Sequence, residues 1–221
     1  MAQKIFNLII LDASGSMYSI RKQAMDGVNE TLQTIKADQK KHPDVQHYVS
    51  FISFNSDMYN EVYDRVLATK TTELQEKDYV PNCATPLYDS IGRAVTNLRD
   101  YVTDEDSVLV TIVTDGYENS SREYTGKAIA TLIEEMKKKG WVFTYIGANQ
   151  DVEEVAKSMN INNYMAYESS DSGTKQMFMA ENSRRARFYD KIRCCMSGKI
   201  AKEDISSGYF DDDDNDNKNT K

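Results

Sequence analysis

The chain has 221 residues, a length that fits one ordinary domain with room for a short appendage. Hydrophobic residues make up 40% of it, enough to bury a core, which excludes a wholly disordered protein. The net charge of −8 argues against a nucleic-acid-binding protein, and the lack of any apolar run of about 18 residues argues against a membrane span.

The first residues and the cysteines both predict a cytoplasmic protein. The segment MAQKIFNLII has neither the basic start and long apolar stretch nor the cleavage site of a signal peptide. Cys83, Cys194 and Cys195 are odd in number and two are adjacent, which is not the pattern of a disulfide framework. We therefore expect reduced thiols. Cys83 is expected to be a small, half-buried residue, with a redox role as the alternative.

Strand and helix patterns alternate in the first part of the chain. Residues 4–11 form a continuous apolar run, which is typical of a strand covered on both faces. Apolar residues at steps of three and four then predict an amphipathic helix over residues 20–35. A second buried strand is predicted at 47–54, followed by a shorter and more polar edge strand at 58–67.

The same alternation continues through the middle of the chain. A helix is predicted over residues 87–98, directly after a proline suited to a first helical turn. The apolar run SVLVTIVT predicts a strand at 107–114, and a helix over 128–136 ends before a glycine. The run WVFTYIGA then predicts a further buried strand at 141–148.

Shorter elements follow. Residues 151–159 predict a short helix, 163–167 a final short strand, and about 174–194 a last helix. Three arginines of that helix are expected on its solvated face, a docking patch being the alternative: Arg184, Arg185 and Arg187.

The composition changes after the last predicted helix. It becomes polar and ends in FDDDDNDNKNTK, a pattern typical of a disordered, solubilising tail. The sequence thus divides into a domain over residues 1–195 and an acidic tail over 196–221.

This order of elements predicts an α/β fold. The central sheet is doubly wound and mostly parallel, with helices on both faces and one short antiparallel edge strand. In such folds the loops that leave the carboxyl ends of the strands share one edge of the sheet, and ligands bind there. A functional site should therefore draw its residues from loops that follow strands.

Oxygen-bearing side chains occur in three such places. Asp12, Ser14 and Ser16 follow the first strand in the stretch DASGS, and Asp115 follows the strand at 107–114. Thr85 lies in the loop that enters the helix at residue 87. Carboxylates and hydroxyls suit a hard divalent cation, so we expect a Mg²⁺ site here, although Mn²⁺ or Ca²⁺ would suit the same donors.

These residues resemble the metal-ion-dependent adhesion site of von Willebrand factor A (vWA) domains, which have an integrin I-like, Rossmann-like fold. That family's pattern is D-x-S-x-S, then a threonine in a second loop and an aspartate in a third, and this chain fills every position. The resemblance covers roughly residues 4–168 and extends to the helix that ends near residue 194. Cys83 and Ala84 depart from it, because the family is often glycine-rich there.

The resemblance implies roles for the individual residues. Ser14, Ser16 and Thr85 would bind the ion directly, while Asp12 and Asp115 would act largely through water or alternate with Thr85. One coordination position would stay open for an Asp or Glu carboxylate of a partner protein. The chain looks most like stand-alone bacterial members of the family, which implies an adaptor or scaffold and no catalytic residue.

Four further residues are expected around the metal. The predicted rim consists of Tyr18, Tyr88, Tyr117 and Asn119. Exposed aromatic side chains favour contacts with protein partners, but for Tyr18 and Tyr88 packing against the sheet edge is an equal alternative. The sequence carries no signal for an oligomeric state.

Other functions fit the sequence less well. The enzymatic alternative is a metal-dependent phosphatase or phosphotransferase that uses Asp12, although that chemistry would require a second acid at the position of Ser14. A further alternative is a structural domain whose site is vestigial. A serine hydrolase needs a histidine, but His42 and His47 precede the second strand, at the opposite sheet edge from the serines. Nucleotide-binding glycine motifs are absent, and so few histidines and cysteines make a zinc site improbable.

Overall fold

In the computed structural model, which describes residues 3–201, 205 and 208–210, the chain folds around a six-stranded sheet. The strands are β1 Gln3–Asp12, β2 Val45–Phe54, β3 Tyr59–Leu67, β4 Ser107–Thr114, β5 Val142–Gly147 and β6 Asn163–Ala166. Their spatial order is β3-β2-β1-β4-β5-β6, and β3 alone runs antiparallel to its neighbour. The predicted fold, including the antiparallel edge strand, is confirmed.

Helices cover both faces of this sheet, because alternate residues of each buried strand point to opposite sides. The helices are α1 Arg21–Lys41, α2 Leu87–Arg99, α3 Gly126–Lys138, α4 Val152–Ser158 and α5 Asp171–Met196. On β1, Ile5 and Ile9 pack with α1 and α5, whereas Leu8 and Ile10 pack with α2, α3 and α4. Short 3₁₀ turns lie at Gly15–Ile20, Ala68–Lys70 and Glu76–Asp78. In the described part of the chain, no helix is both long and apolar enough to span a bilayer.

Side-chain caps set the starts of α4 and α5. Ser170 accepts a hydrogen bond from the Gly173 amide at 3.1 Å, so α5 begins three residues earlier than the apolar pattern predicts. Asp151 accepts one from the Glu154 amide at 3.0 Å and therefore stands outside α4. The apolar pattern located both helices, and the caps define where they begin.

Parallel pairing fixes which end of the sheet each residue occupies. In the register of β1 and β2, His47 lies opposite Ile5, and Phe54 lies opposite Asp12 at the other end. The His47 ring is buried, and its Nε2 lies 3.0 Å from an Asp38 carboxylate oxygen. His47 therefore lies at the opposite end of the strands from the serines that follow β1.

The prediction that all three arginines of α5 face solvent is wrong for Arg185. Its side chain is fully buried between α5 and the sheet, where it forms an ion pair of 2.7 Å with Glu181 one turn earlier. It also donates to Thr111 Oγ1 at 2.7 Å and to Asn7 Oδ1 at 3.1 Å. Because the opposite charge and the polar acceptors all lie within hydrogen-bond distance of the guanidinium, the cost of its burial is compensated.

The segment after α5 adds side chains to the core. Ile205 and Tyr209 are buried against the α1 and α5 side of the sheet, and the Tyr209 hydroxyl donates to Glu181 at 3.1 Å. The Tyr209 ring also lies 6.0 Å from that of Phe188. Packing onto the domain thus continues beyond residue 195. The aspartate-rich stretch 211–221 lies outside the described residues.

Candidate metal centre

The first strand ends on a carboxylate that is held in place from two directions. Asp12 is fully buried, and it accepts hydrogen bonds of 2.6 Å from the Ser14 amide and of 2.6 Å from the Thr114 hydroxyl. Thr114 is the last residue of the neighbouring strand β4. The chain then turns at Gly15, whose amide donates to the Cys83 carbonyl at 3.0 Å. These contacts fix the DASGS turn against the end of β4 and against the loop that carries Cys83.

A row of hydrogen bonds joins the first loop to the third. The hydroxyls of Ser14 and Ser16 lie 3.2 Å apart, and the Ser16 hydroxyl donates to Asp115 Oδ1 at 2.5 Å. Asp115 follows β4, as the strand pattern predicts. Its second carboxylate oxygen accepts a bond of 3.3 Å from Ser169 in the loop after β6.

Thr85 completes the group from the second loop. It is buried, its amide donates to Asn119 Oδ1 at 2.8 Å, and its carbonyl accepts from the Asn119 amide at 3.1 Å. A Cβ placed on Gly116 would lie 3.7 Å from the Ser16 hydroxyl and 3.8 Å from that of Thr85. The two hydroxyls thus border the same small space beside Gly116, which a side chain at that position would begin to fill.

The two carboxylates of this cluster lie in an unfavourable electrostatic setting. Burial, together with the nearby charge of Asp115, raises the pKa of Asp12 to about 6 against the hydrogen bonds from Thr114 and Ser14. Burial likewise raises the pKa of Asp115, opposed by the bonds from Ser16 and Ser169. Among the described residues, no basic side chain pairs with either group. A bound cation would relieve this desolvation and repulsion.

The donor set decides which cations fit. In the part of the chain that the structure describes, no group of three or more His, Cys, Asp or Glu side chains is placed to hold a metal. The cluster instead offers two carboxylates and three hydroxyls, which suit Mg²⁺, Mn²⁺ or Ca²⁺ and not a soft metal. The five predicted ligands lie on the same sheet edge, in contact through one another or around Gly116.

The four predicted rim residues have different surroundings. Tyr18 and Tyr117 are largely exposed, at 70% and 54% of their surface. Tyr88 is half-buried and packs against the α2 and α3 side of the core. Asn119 supports Thr85 through its side-chain Oδ1, which accepts from the Thr85 amide, and through its own amide, which donates to the Thr85 carbonyl. The exposed aromatic surface at this edge therefore comes from Tyr18 and Tyr117.

Cys83 differs from the half-buried residue that its sequence context predicts. It is exposed, it has a positive φ of 63°, and its thiol donates to an Asp57 carboxylate oxygen at 3.0 Å. That hydrogen bond raises the pKa of the thiol. The reason for the exposure is that the Cys83 backbone, rather than its side chain, packs against Gly15.

Sequence reasoning missed the supporting residues Thr114 and Ser169. Thr114 completes an apolar strand pattern, so nothing in its spacing marks it as the partner of Asp12. Ser169 could have been predicted, because it follows β6, and the loops after parallel strands share the ligand-binding edge of the sheet. The short, polar character of that strand concealed the signal.

Comparison with known proteins identifies the fold. No protein-family model matches the sequence, and no curated protein matches it. Solved structures do match, among them the D319A mutant of the PilB minor pilin from Streptococcus sanguinis, with a TM-score of 0.57 and 13% identity over 83% of this chain. The chain spans 62% of the length of that pilin.

Two matches consist almost entirely of the shared domain. The VWA domain of SpRpn10 has a TM-score of 0.56 and 11% identity, over 82% of this chain and 95% of its own. The vWF domain of the type V pili tip protein Mfa5 from Porphyromonas gingivalis has a TM-score of 0.54 and 8% identity, over 82% and 96%. The chain described here therefore has a von Willebrand factor A-like, α/β fold.

Proposed function

We propose that this chain is a protein-binding domain whose interaction depends on a divalent cation. Mg²⁺ would be held at the sheet edge by Asp12, Ser14, Ser16, Thr85 and Asp115. One observation carries the proposal: two desolvated carboxylates and three hydroxyls from three loops meet at this edge with no basic side chain, among the described residues, to neutralise them.

The hydroxyl and carboxylate residues of the site would have different roles, because only the carboxylates carry charge. The three neutral hydroxyls of Ser14, Ser16 and Thr85 would contact the ion, and the carboxylates of Asp12 and Asp115 would balance its charge largely through water. When bound, the ion supplies a positive centre that an Asp or Glu carboxylate of a partner can complete. The exposed rings of Tyr18 and Tyr117 would add contact area around that carboxylate.

The comparisons support an interaction role over an enzymatic one. The solved structures that share the fold include a minor pilin, a pilus tip protein and the VWA domain of SpRpn10. None of these three is described as an enzyme. Within the described residues, the two histidines lie away from the cluster, so a general base of that type is not available to Ser14 or Ser16. We therefore favour an adaptor or scaffold.

The metal claim is tested by calorimetric titration with Mg²⁺. Asp12→Ala and Thr85→Ala should each abolish binding while the circular dichroism spectrum is retained. Thr34→Ala, which removes an exposed hydroxyl from α1, is the matched control and should bind like the parent. Parent-like binding by both site variants would show that the ion is held elsewhere.

The interaction claim needs a second measurement. Proteins retained by the immobilised parent in Mg²⁺ should be released by a chelator, and they should not be retained by Thr85→Ala. Retention that is indifferent to the chelator would place the interface elsewhere. Turnover of generic phosphoesters that is lost in Asp12→Asn would instead establish the phosphotransferase alternative.

A further inference from the structure

A pocket of about 280 Å³ lies beside the candidate metal centre. It is enclosed by the turn between β2 and β3, the first turns of α2 and the loop after β4. Two of its lining residues directly follow residues of the metal edge: Pro86 follows Thr85, and Ser120 follows Asn119. Since consecutive Cα atoms are about 3.8 Å apart, the pocket begins one residue away from the proposed metal ligand.

The walls of the pocket are fixed before anything binds. The carboxylate of Asp89, on α2, accepts the amides of Arg122, Glu123 and Tyr124 at 2.8, 2.9 and 2.8 Å. These three bonds lower the pKa of Asp89 despite its burial. Glu118 accepts further amides of the same loop, at 2.8 and 2.7 Å. The loop after β4 is therefore tied to α2 as one rigid wall.

The hydrogen-bond acceptors in this pocket are already engaged. The carboxylate of Asp89 is occupied by the three amides. Glu123 accepts from Arg93 Nε at 2.9 Å and from a second nitrogen of the same guanidinium. Asp57 accepts from the Cys83 thiol at 3.0 Å. Each acidic side chain of the lining therefore has a donor.

Three donors of the lining are in the opposite situation, although Arg93, Ser90 and Asn55 donate to acceptors of the chain. The hydroxyls of Tyr59 and Ser120 are buried and have no partner among the described residues. Burial also raises the pKa of Tyr59, so its hydroxyl stays protonated and able to donate. The guanidinium of Arg122 is exposed and makes no hydrogen bond or ion pair within the described part of the chain. Buried donors left unpaired are costly, so this pocket favours a ligand that accepts.

We propose that this pocket is a specificity subsite that receives a second carboxylate of the partner, which accepts from Arg122, Tyr59 and Ser120 while a first carboxylate completes the metal centre. The proposal rests on the function proposed above and makes its ligand more specific: an acidic segment with two acids a few residues apart. An extended segment advances about 3.3 Å per residue, so a spacing of two to four residues would reach both places.

The probe is a phage-displayed library of short random peptides, selected on the full chain in Mg²⁺ and eluted with a chelator. We expect the eluted peptides to carry two acids at a constant spacing. Synthetic versions of one such peptide, with either acid changed to alanine, are then titrated against the parent, Arg122→Ala and Arg99→Ala. Arg99 is the last residue of α2, at the end of that helix far from the pocket, and it provides the matched control.

The two acids should respond differently. Loss of the second acid should weaken binding to the parent and to Arg99→Ala about tenfold, but should hardly change binding to Arg122→Ala, because its partner is already gone. A double variant with Tyr59→Phe and Ser120→Ala should likewise lose the preference for that acid. Peptides with one constant acid, bound equally by Arg122→Ala, would overturn the subsite and leave the metal proposal standing. A chelator eluate without enriched peptides would overturn both.

Discussion

The hydroxyl of Thr114, at the end of β4, donates a 2.6 Å hydrogen bond to the carboxylate of Asp12, at the end of the neighbouring strand β1. The contact joins two strand ends directly beneath the candidate metal centre. It also opposes the effect of burial on Asp12 and thereby helps to keep that carboxylate ionised.

Replacing Thr114 with valine tests this contact, because valine keeps the branched shape and removes only the hydroxyl. We expect Thr114→Val to lower the free energy of unfolding by about 1–2 kcal/mol at neutral pH and to weaken Mg²⁺ binding, since Asp12 loses a donor to its charged form. Urea denaturation and calorimetry measure the two effects. Thr131→Val, on an exposed face of α3, is the control; equal effects from both variants would refute a specific role for Thr114.

Asp12 should also give the metal-free protein a distinctive pH dependence. Its folded pKa of about 6 lies above the unfolded value of 3.8, so the folded state binds the proton more tightly. Its contribution to stability is therefore greatest below about pH 4, falls between about pH 4 and 6, and is lost above that, a change of about 3 kcal/mol at most.

Asp12→Asn removes this titration. In a chelator, it should abolish the loss of stability between about pH 4 and 6 and should leave the protein at least as stable as the parent at neutral pH, while it no longer binds Mg²⁺. Denaturation curves of both proteins across that range supply the test. An unchanged pH profile in Asp12→Asn would assign the titration to another group.

Gly116 offers a way to block the metal centre without disturbing the fold. An alanine methyl there would meet the Ser16 and Thr85 hydroxyls at 3.7 and 3.8 Å, which is ordinary contact, so Gly116→Ala should fold normally. The methyl would nevertheless stand beside the space that the ion needs, and we expect Mg²⁺ affinity to fall about tenfold or more.

Gly15→Ala is the comparison for that variant. Its methyl would contact the Cys83 backbone at 3.5 Å and would lie more than 4 Å from the Thr85 hydroxyl, so the variant should bind Mg²⁺ nearly as the parent does. Calorimetric titration of both variants, with thermal unfolding as a check on the fold, decides the matter. If Gly116→Ala binds as well as Gly15→Ala, the ion does not lie beside Gly116.

The buried pair of Arg185 and Glu181 should matter for stability alone. Arg185→Ala leaves the carboxylate of Glu181 buried without its partner, and we expect a loss of about 3–5 kcal/mol in the free energy of unfolding. Replacing both residues, as Arg185→Met with Glu181→Leu, should cost much less. Urea denaturation compares the two, and a double variant as unstable as the single one would show that the charges themselves are not the cause.

The sequence predicted the sheet because the apolar runs and helical spacings that define it are local patterns. Apolar runs and helical spacing located every major element, and the order of strands brought Asp12, Thr85 and Asp115 to one edge. The burial of Arg185 could not be read in this way. Its acceptors Asn7 and Thr111 are remote in sequence, and they become its partners only when α5 packs across the sheet.

The same limit applies to Tyr209. It lies in a polar stretch with no periodicity, and its burial depends on Phe188 and Glu181, which α5 presents to it. Thr114 is the opposite case: its apolar strand was predicted correctly, but its polar contact with Asp12 was not. Supporting residues of this kind become visible only when the three-dimensional neighbours are known.

The paired bonds between Thr85 and Asn119 have a mechanical consequence. Both backbone groups of Thr85 are tied to the loop that carries Tyr117. That loop is tied to α2, because Asp89 of α2 accepts the Arg122 amide and Glu118 accepts the Tyr88 amide of α2. A partner that pressed on Tyr117 would therefore shift the threonine as well. In this arrangement, the surface that the proposed partner would touch and the threonine that would hold the proposed ion belong to one connected unit.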